Sequence, residues 1–404
     1  MVDFSDSPEE HAFRAQVREF VEQRCPRVLI EEAAYEGSLG ASHVGPTSEE
    51  ERERLTDQWR DALLEKGWMA AAWPKKYGGG ELSLSEQFIL NDELVALRAP
   101  QPQPHVVGST LMVHGTEEQK RYYLPKILSG EMRFAQGYSE PNAGSDLASL
   151  TTRAVRDGDD FIINGSKIWT SGAHRADMIF ALVRTDPDAP KHRGITFIMF
   201  SMKSPGISIR RIEQMSGTSE FNQVFFEDVR APASGVVGEI NRGWYVGATH
   251  LDFERSGIAQ VVRVRKTVTD LVGFLKTERD AGGYRQRLDN DVIRNQLADC
   301  RIGAEVAVLF SYRVLSMQRR NQIPNYEAST VKVFRTELSQ RTANAGVKAL
   351  GLYGLLFDRE EPYTPMRTKF SQWYLSTVSE TIGAGTSEIQ RGIIATRGFG
   401  LPRG

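Results

Sequence analysis

Cysteine is nearly missing from these 404 residues, neither sign of charge prevails, and no long apolar run occurs. Each absence removes a class of protein. Cys25 and Cys300 stand alone, far apart and without a Cys or His at metal-ligand spacing. Neither a disulfide framework nor a zinc site is expected, and both read as buried thiols. A net charge of -2, with no basic run and no acidic tail, argues against broad nucleic-acid binding. The most apolar stretch, Met178 to Val183, falls far short of the ~20 residues that cross a bilayer, and the opening Met1-Val2-Asp3-Phe4-Ser5-Asp6 has no apolar signal core. The expectation is a cytoplasmic chain without a metal, acting on neither nucleic acid nor membrane.

The remaining composition, 40% apolar and 25% charged, is that of an ordinary globular protein, and the length allows two to four domains of ~100 to 200 residues. Residues 1–132 read as helical. Ser7-Pro8-Glu9-Glu10 places a hydroxyl at an N-cap, a proline at the first helical position and a carboxylate three residues on, with Phe13, Val17, Phe20 and Val21 on one face. Ser83 with Glu86 and Thr116 with Gln119 repeat the pattern, and Gly78-Gly79-Gly80 interrupts the helices. From 133 to 240 the segments are short, β-branched and aromatic: Phe161 to Gly165, Ile179 to Val183, Ile195 to Phe200, Val224 to Phe226. Asp-Gly, Asn-Gly and Pro-containing turns bound them, which reads as an antiparallel β barrel or sandwich. Helical periodicity returns over 241–404, in Val261 to Leu275, Asp291 to Leu315, Ala328 to Leu350 and Phe370 to Gly383. The class expected is α+β, in three consecutive domains.

Two segments carry more than periodicity. Phe134 to Asp146 reads FAQGYSEPNAGSD, and Ile163 to Gly172 reads INGSKIWTSG. Together, and with Trp73-Pro74, Leu124-Pro125 and the terminal Gly385 to Arg391, they resemble the acyl-CoA dehydrogenase family across nearly the whole chain. The resemblance implies a helical N-terminal domain, a β domain, a C-terminal four-helix bundle and bound FAD. Gln136, Tyr138, Ser139, Gly144 and Ser145 would then approach the flavin, with small residues letting backbone N–H groups reach its oxygens. Trp169 would lie against the ring with Thr170 and Ser171 beside it, while Gly351, Gly354, Thr386 and Glu388 would complete the cofactor site.

The reaction so implied removes an α proton and a β hydride from an acyl thioester, and it requires a carboxylate facing the flavin across the acyl chain. Many family members carry that glutamate just before Gly-Thr. Here the position is Ala384, in Ile382-Gly383-Ala384-Gly385-Thr386. In isovaleryl-CoA and long-chain acyl-CoA dehydrogenases the base comes from an Asp-x-Glu-Arg run, and this chain has Asp252-Phe253-Glu254-Arg255. Glu254 is therefore the expected base. Ala384 keeps a backbone N–H that can donate to the thioester carbonyl, and Ser145, Asp252 and Arg255 are expected on the substrate side.

Two departures concern partners. The family's Arg-x-x-Phe pair corresponds to Arg279-Asp280-Ala281-Gly282-Gly283-Tyr284-Arg285, and its Gln-x-x-Gly-Gly-x-Gly segment to Lys348 through Gly354. The flavin-ring segments look intact while those offered to a neighbouring subunit look altered. This is similar to bacterial dehydrogenases for bulky CoA thioesters, including steroid side chains, some built from two different subunits. The resemblance implies an enzyme that forms a trans-2-enoyl-CoA, passes electrons to an electron-transferring flavoprotein, and works as a homotetramer or a mixed tetramer. An acyl-CoA oxidase or flavin monooxygenase of the same fold, and a weakly active structural subunit, stay open.

Overall fold

The computed structural model describes residues 6–33, 47–101, 107–253, 258–277, 287–320, 322, 324–358, 361 and 363–402. In chain order the elements are α1 (Pro8–Arg24), α2 (Arg27–Ala33), α3 (Glu49–Glu65), α4 (Leu84–Ala96), α5 (Val107–His114) and α6 (Glu117–Ser129). Seven strands follow: β1 (Phe134–Gly137), β2 (Arg153–Asp157), β3 (Asp160–Lys167), β4 (Met178–Arg184), β5 (Ile195–Ser201), β6 (Ile207–Ile212) and β7 (Phe221–Pro232). The chain then returns to helix as α7 (Gly243–Phe253), α8 (Ile258–Thr277), α9 (Asp291–Arg319), α10 (Tyr326–Leu350), α11 (Lys369–Glu380) and α12 (Ser387–Ile393). The α+β class and the helix, sheet, helix order are as expected. Contacts gather the chain into two compact units. A helical unit takes Met1–Leu63, Glu81–Pro102 and Arg255–Gly404, and a sheet unit takes Leu64–Gly80 and Gln103–Glu254.

In the helical unit, Ser7 and Ser83 each accept an N3 amide while the N3 glutamate returns to the cap N–H, so both expected capping boxes form at the starts of α1 and α4. Arg14 and Arg18 of α1 grip Glu93 of α4 at 2.6 and 2.7 Å. Along α8, Val261, Val264, Val268, Leu271 and Leu275 recur every three or four residues and pack on Leu297, Ala304 and Val308 of α9, Leu338 of α10 and Phe370 of α11. Gly346 is required where α10 meets α11, because a Cβ there would stand 2.0 Å from the Phe370 ring.

In the sheet unit the strand order is β1-β4-β2-β3-β7-β6, with β5 on β4. Four pairings are antiparallel, but β1–β4 and β2–β4 are parallel, so the sheet is mixed where an antiparallel one was expected. The cause is the excursion from β1 through β2 and β3: the chain turns at Asp157-Gly158, with Gly158 at φ +62°, and re-enters at β4 in the direction it left. Strands β4 and β5 are covered on both faces. Ile179, Ala181, Ile198 and Phe200 join one core, while Phe180, Leu182, Phe197 and Met199 join another with Trp73, Val107, Leu111 and Leu124. That double burial explains their unbroken apolar sequences.

Candidate active site

In the sheet unit, the loop after β1 and the loop after β3 are locked together by a buried ion pair. Lys167, the last residue of β3, is fully buried and donates from Nζ to the Tyr138 carbonyl at 3.1 Å and to Glu140 Oε1 at 2.8 Å. Glu140 also accepts from the Thr151 amide at 2.7 Å, the Thr151 hydroxyl at 2.9 Å and the Thr152 amide at 2.9 Å. Burial alone would raise the Glu140 carboxyl, but the Lys167 ammonium and these donors hold it down at about 2. Burial pushes the Lys167 ammonium down to about 8 against the pull of Glu140. The pair is charged at neutral pH. One further bond, Ile168 N–H to the Ser139 carbonyl at 2.9 Å, brings the Ser139 and Trp169 segments side by side.

What this frame holds outward is an aromatic face. Trp169 adopts φ +60°, rare for a bulky residue, and is 56% exposed, with Phe221 edge-on at 6.0 Å. Its conformation is imposed by the next residue: Thr170 N–H donates to the Asn222 carbonyl at 3.0 Å, and Asn222 Nδ2 donates back to the Thr170 carbonyl at 2.9 Å. The Thr170 hydroxyl is buried and has no hydrogen-bond partner among the described residues. Leaving such a group unpaired costs about 1–3 kcal/mol. Ser171 is exposed beside it, and a Cβ on Gly144 or Gly172 would meet nothing within 4 Å. Ser145 and Asp146 are exposed on the same loop as Gly144, with the Asp146 carboxylate on Lys191. An open, small-residue rim, an outward indole and an orphaned hydroxyl together fit a planar aromatic cofactor.

Two expected cofactor residues have side chains engaged within the sheet unit. The Tyr138 ring turns inward, edge-on to Phe180 at 5.8 Å, and its carbonyl accepts from Lys167. Gln136 is half-buried within β1, opposite Phe180 on β4. Asp252 falls on the last turn of α7, and its side chain lies outside what is described. Glu254 and Arg255 lie outside the described residues, as do Arg279 to Arg285. Helix α7 itself is pressed close to the sheet: a Cβ on Gly243 would sit 2.1 Å from Phe197 N, and one on Gly247 would sit 3.4 Å from the Tyr138 hydroxyl.

In the helical unit, Ala384 and Gly385 are consecutive left-handed residues, at φ +52° and +84°. Gln390 Nε2 donates to the Ala384 carbonyl at 3.1 Å, and Lys332 Nζ of α10 donates to the Gly385 carbonyl at 2.7 Å. Thr386 caps α12, its hydroxyl accepting from Ile389 N–H at 3.2 Å. Exposed Glu388 is held below its ordinary value by its own amide and by Thr386. Among the described residues nothing accepts from the N–H groups of Ala384, Gly385 and Thr386. Gly351, at φ +63°, has the Arg287 guanidinium where a Cβ would be, and Gly354 is buried at the end of α10. Among the described residues no cluster of His, Cys, Asp or Glu could hold a metal, and no helix is long and apolar enough to cross a membrane.

The sequence alone did not single out Glu140, Lys167, Lys332 or Gln390 as a working set. The first two do stand inside the matched segments, and the opposite charges of Glu140 and Lys167 in two paired motifs were the available signal.

Three family models match in succession: the acyl-CoA dehydrogenase N-terminal domain over residues 7–131, the middle domain over 135–229 and the C-terminal domain over 241–399. This chain belongs to the acyl-CoA dehydrogenase family, flavin-dependent oxidoreductases that act on CH–CH groups. It is 34% identical to acyl-CoA dehydrogenase FadE26 of Mycobacterium tuberculosis over 99% of this chain and 98% of that one. Among solved structures it is similar to the Tcur3481-Tcur3483 steroid ACAD, at 35% identity and TM-score 0.84 over the whole of both chains. It is also similar to the ChsE4-ChsE5 complex of M. tuberculosis, at 33% identity and TM-score 0.79, again over the whole of both chains.

Proposed function

We propose that this chain is an FAD-dependent acyl-CoA dehydrogenase that oxidises a bulky acyl-CoA, of polycyclic, branched or long acyl group, to its trans-2-enoyl-CoA, with Glu254 as the α-proton base. The observation that carries the reading is the paired loop of the sheet unit, where a buried Lys167–Glu140 pair holds an outward Trp169 and an orphaned Thr170 hydroxyl. FAD bound there supplies a two-electron acceptor for the β hydrogen. The chain's own residues do the rest. Trp169 offers its indole to the ring face, and the rim of Ser139, Gly144, Ser145 and Ser171 offers backbone and hydroxyl donors. Glu254 takes the α proton, since Ala384 leaves no carboxylate at the other position the family uses. The Ala384 N–H, which has no acceptor among the described residues, donates to the thioester carbonyl as negative charge gathers on its oxygen.

The acyl class and the assembly rest on the names of relatives. One similar structure is titled a steroid ACAD and two are titled as pairs of chains, which supports a polycyclic acyl group and a mixed tetramer. Electrons would leave to an electron-transferring flavoprotein. One stopped-flow experiment tests the reading. The purified protein, alone or with its partner chain, should carry FAD that bleaches on anaerobic addition of a suitable acyl-CoA. Glu254→Gln should keep flavin and bind acyl-CoA while bleaching at least ~100-fold more slowly, the low end for loss of a general base. A colourless protein that no reconstitution loads with FAD, or bleaching at wild-type speed in the variant, would refute it.

A further inference from the structure

An alanine at φ +52° followed by a residue at +84° does not persist without support, because a side chain in the left-handed region is held there only when its surroundings over-determine it. The support here is two side-chain donors, one on each carbonyl of the turn: Gln390 Nε2 on Ala384 and Lys332 Nζ on Gly385. The φ of +84° is what favours glycine at 385, and a Cβ there would also displace the Gln390 Nε2, 2.6 Å away. The Arg391–Glu337 pair at 2.6 Å fastens α12 to α10, the helix that carries Lys332. Both carbonyls are thus engaged by side chains of α10 and α12, and among the described residues the N–H groups of Ala384, Gly385 and Thr386 have no acceptor. Accepting a bond at its carbonyl also makes the N–H of the same peptide a stronger donor: that of Gly385 for the Ala384 carbonyl and that of Thr386 for the Gly385 carbonyl.

We propose that Lys332 and Gln390 are positioning residues of the oxyanion site, holding the Ala384–Gly385 turn with its N–H groups outward, and that the Lys332 charge strengthens the hold on a developing enolate oxygen. The inference rests on the dehydrogenase reading and deepens it. A plain helix-terminus cap would account for a donor on the Gly385 carbonyl, but any neutral donor would serve for that. Lys332 is instead a half-buried ammonium, pushed down to about 8 by burial and by Arg335 on its own helix. Glu337 on that helix, Glu380 on α11 and Glu388 on α12 face it and act in the opposite direction. Its charge is present below about pH 8 and lost above it, so a contribution to oxyanion binding fades on the alkaline side.

The test uses the flavin-loaded protein, with its partner chain if one is needed, and a 3-oxoacyl-CoA as a probe that does not turn over. Loss of its C2 proton to solvent or to the base leaves an enolate, with charge shared between the thioester and C3 oxygens and an absorbance of its own. Lys332→Met should weaken enolate binding ~10-fold, less than the ~100-fold loss of an oxyanion donor itself, while a saturated acyl-CoA binds almost as before. Lys332→Arg should restore enolate binding and carry the alkaline limb out of range. The wild-type protein should itself bind the enolate less well as pH rises through about 8. Equal weakening of enolate and saturated thioester in the methionine variant would overturn the inference, as would a wild-type profile flat across that pH. Flavin that no acyl-CoA bleaches in the wild-type protein would instead sink the dehydrogenase reading beneath it.

Discussion

Glu140 and Lys167 are the residues on which the proposed flavin site most depends, and the physics of their pairing gives a sharp expectation. Glu140→Gln leaves the Lys167 ammonium fully buried with no counter-charge, which costs about 3–5 kcal/mol where one partner of a buried pair is removed. Lys167→Met added to that variant takes the stranded charge away, so the double variant should unfold at higher denaturant than Glu140→Gln alone. The pH dependence follows from the sign of the shift. The carboxyl titrates lower in the folded chain, at about 2 against 4.5, so its contribution is complete above pH 4.5 and is lost as pH falls toward 2. Denaturant midpoints of wild type and Glu140→Gln should therefore lie farthest apart near neutrality and converge between those two values. Midpoints that stay equally far apart through that window would show that the carboxylate is not what Lys167 relies on.

Among the elements, α7 is held close against backbone at its first residue. The Gly243 position admits no Cβ, with Phe197 N at 2.1 Å and Thr196 C at 2.3 Å, both backbone atoms that cannot swing aside. Gly243→Ala should lower the thermal midpoint by an amount equivalent to about 1–3 kcal/mol of overpacking. It should also slow flavin reduction more than it lowers flavin content, because α7 leads directly to Asp252 and Glu254 in the chain. An unchanged midpoint would mean the helix start is free to shift. How much of this was legible in the sequence depends on how local each cause is. The capping boxes at Ser7, Ser83 and Thr116 are written within four residues, and all three form. Strands β3, β4, β5 and β7 were readable from apolar or alternating runs. Strand β1 has only Phe-Ala-Gln-Gly, and β6, Ile-Ser-Ile-Arg-Arg-Ile, is largely exposed, so neither carries a burial pattern to read. The parallel β1–β4 pairing joins residues 44 apart, such as Phe134 and Met178. The inward turn of Tyr138, the Lys167–Glu140 pair across 27 residues and the Lys332–Gly385 bond across 53 are equally non-local. Ala384, by contrast, was singled out by what its side chain lacks, and the structure adds what its backbone offers.

For the whole molecule, the helical unit exposes apolar side chains in register. Tyr374 and Val378 lie one turn apart on α11 and continue to Ile382, at 47, 42 and 60% exposure, and Leu352 and Leu355 after α10 are more exposed still. Surface of this kind is characteristic of a face that another chain covers. Static light scattering on the flavin-loaded protein should give about four times 45.2 kDa, with either one kind of chain or two. A monomer with full flavin content would remove the tetramer from the reading.

The division into units also bears on how the chain is made. The sheet unit is complete once Glu254 has been synthesised, whereas the helical unit takes segments from before Leu63, from Glu81–Pro102 and from everything after Arg255. A nascent chain emerging from the ribosome can therefore close its mixed sheet early. Helix α4, joined to α1 through Arg14, Arg18 and Glu93, must wait for α8 before the face it packs there is covered. The interval is one in which the earliest helices are made but homeless, and it is there that a chaperone, or a companion chain translated nearby, would have the most to protect.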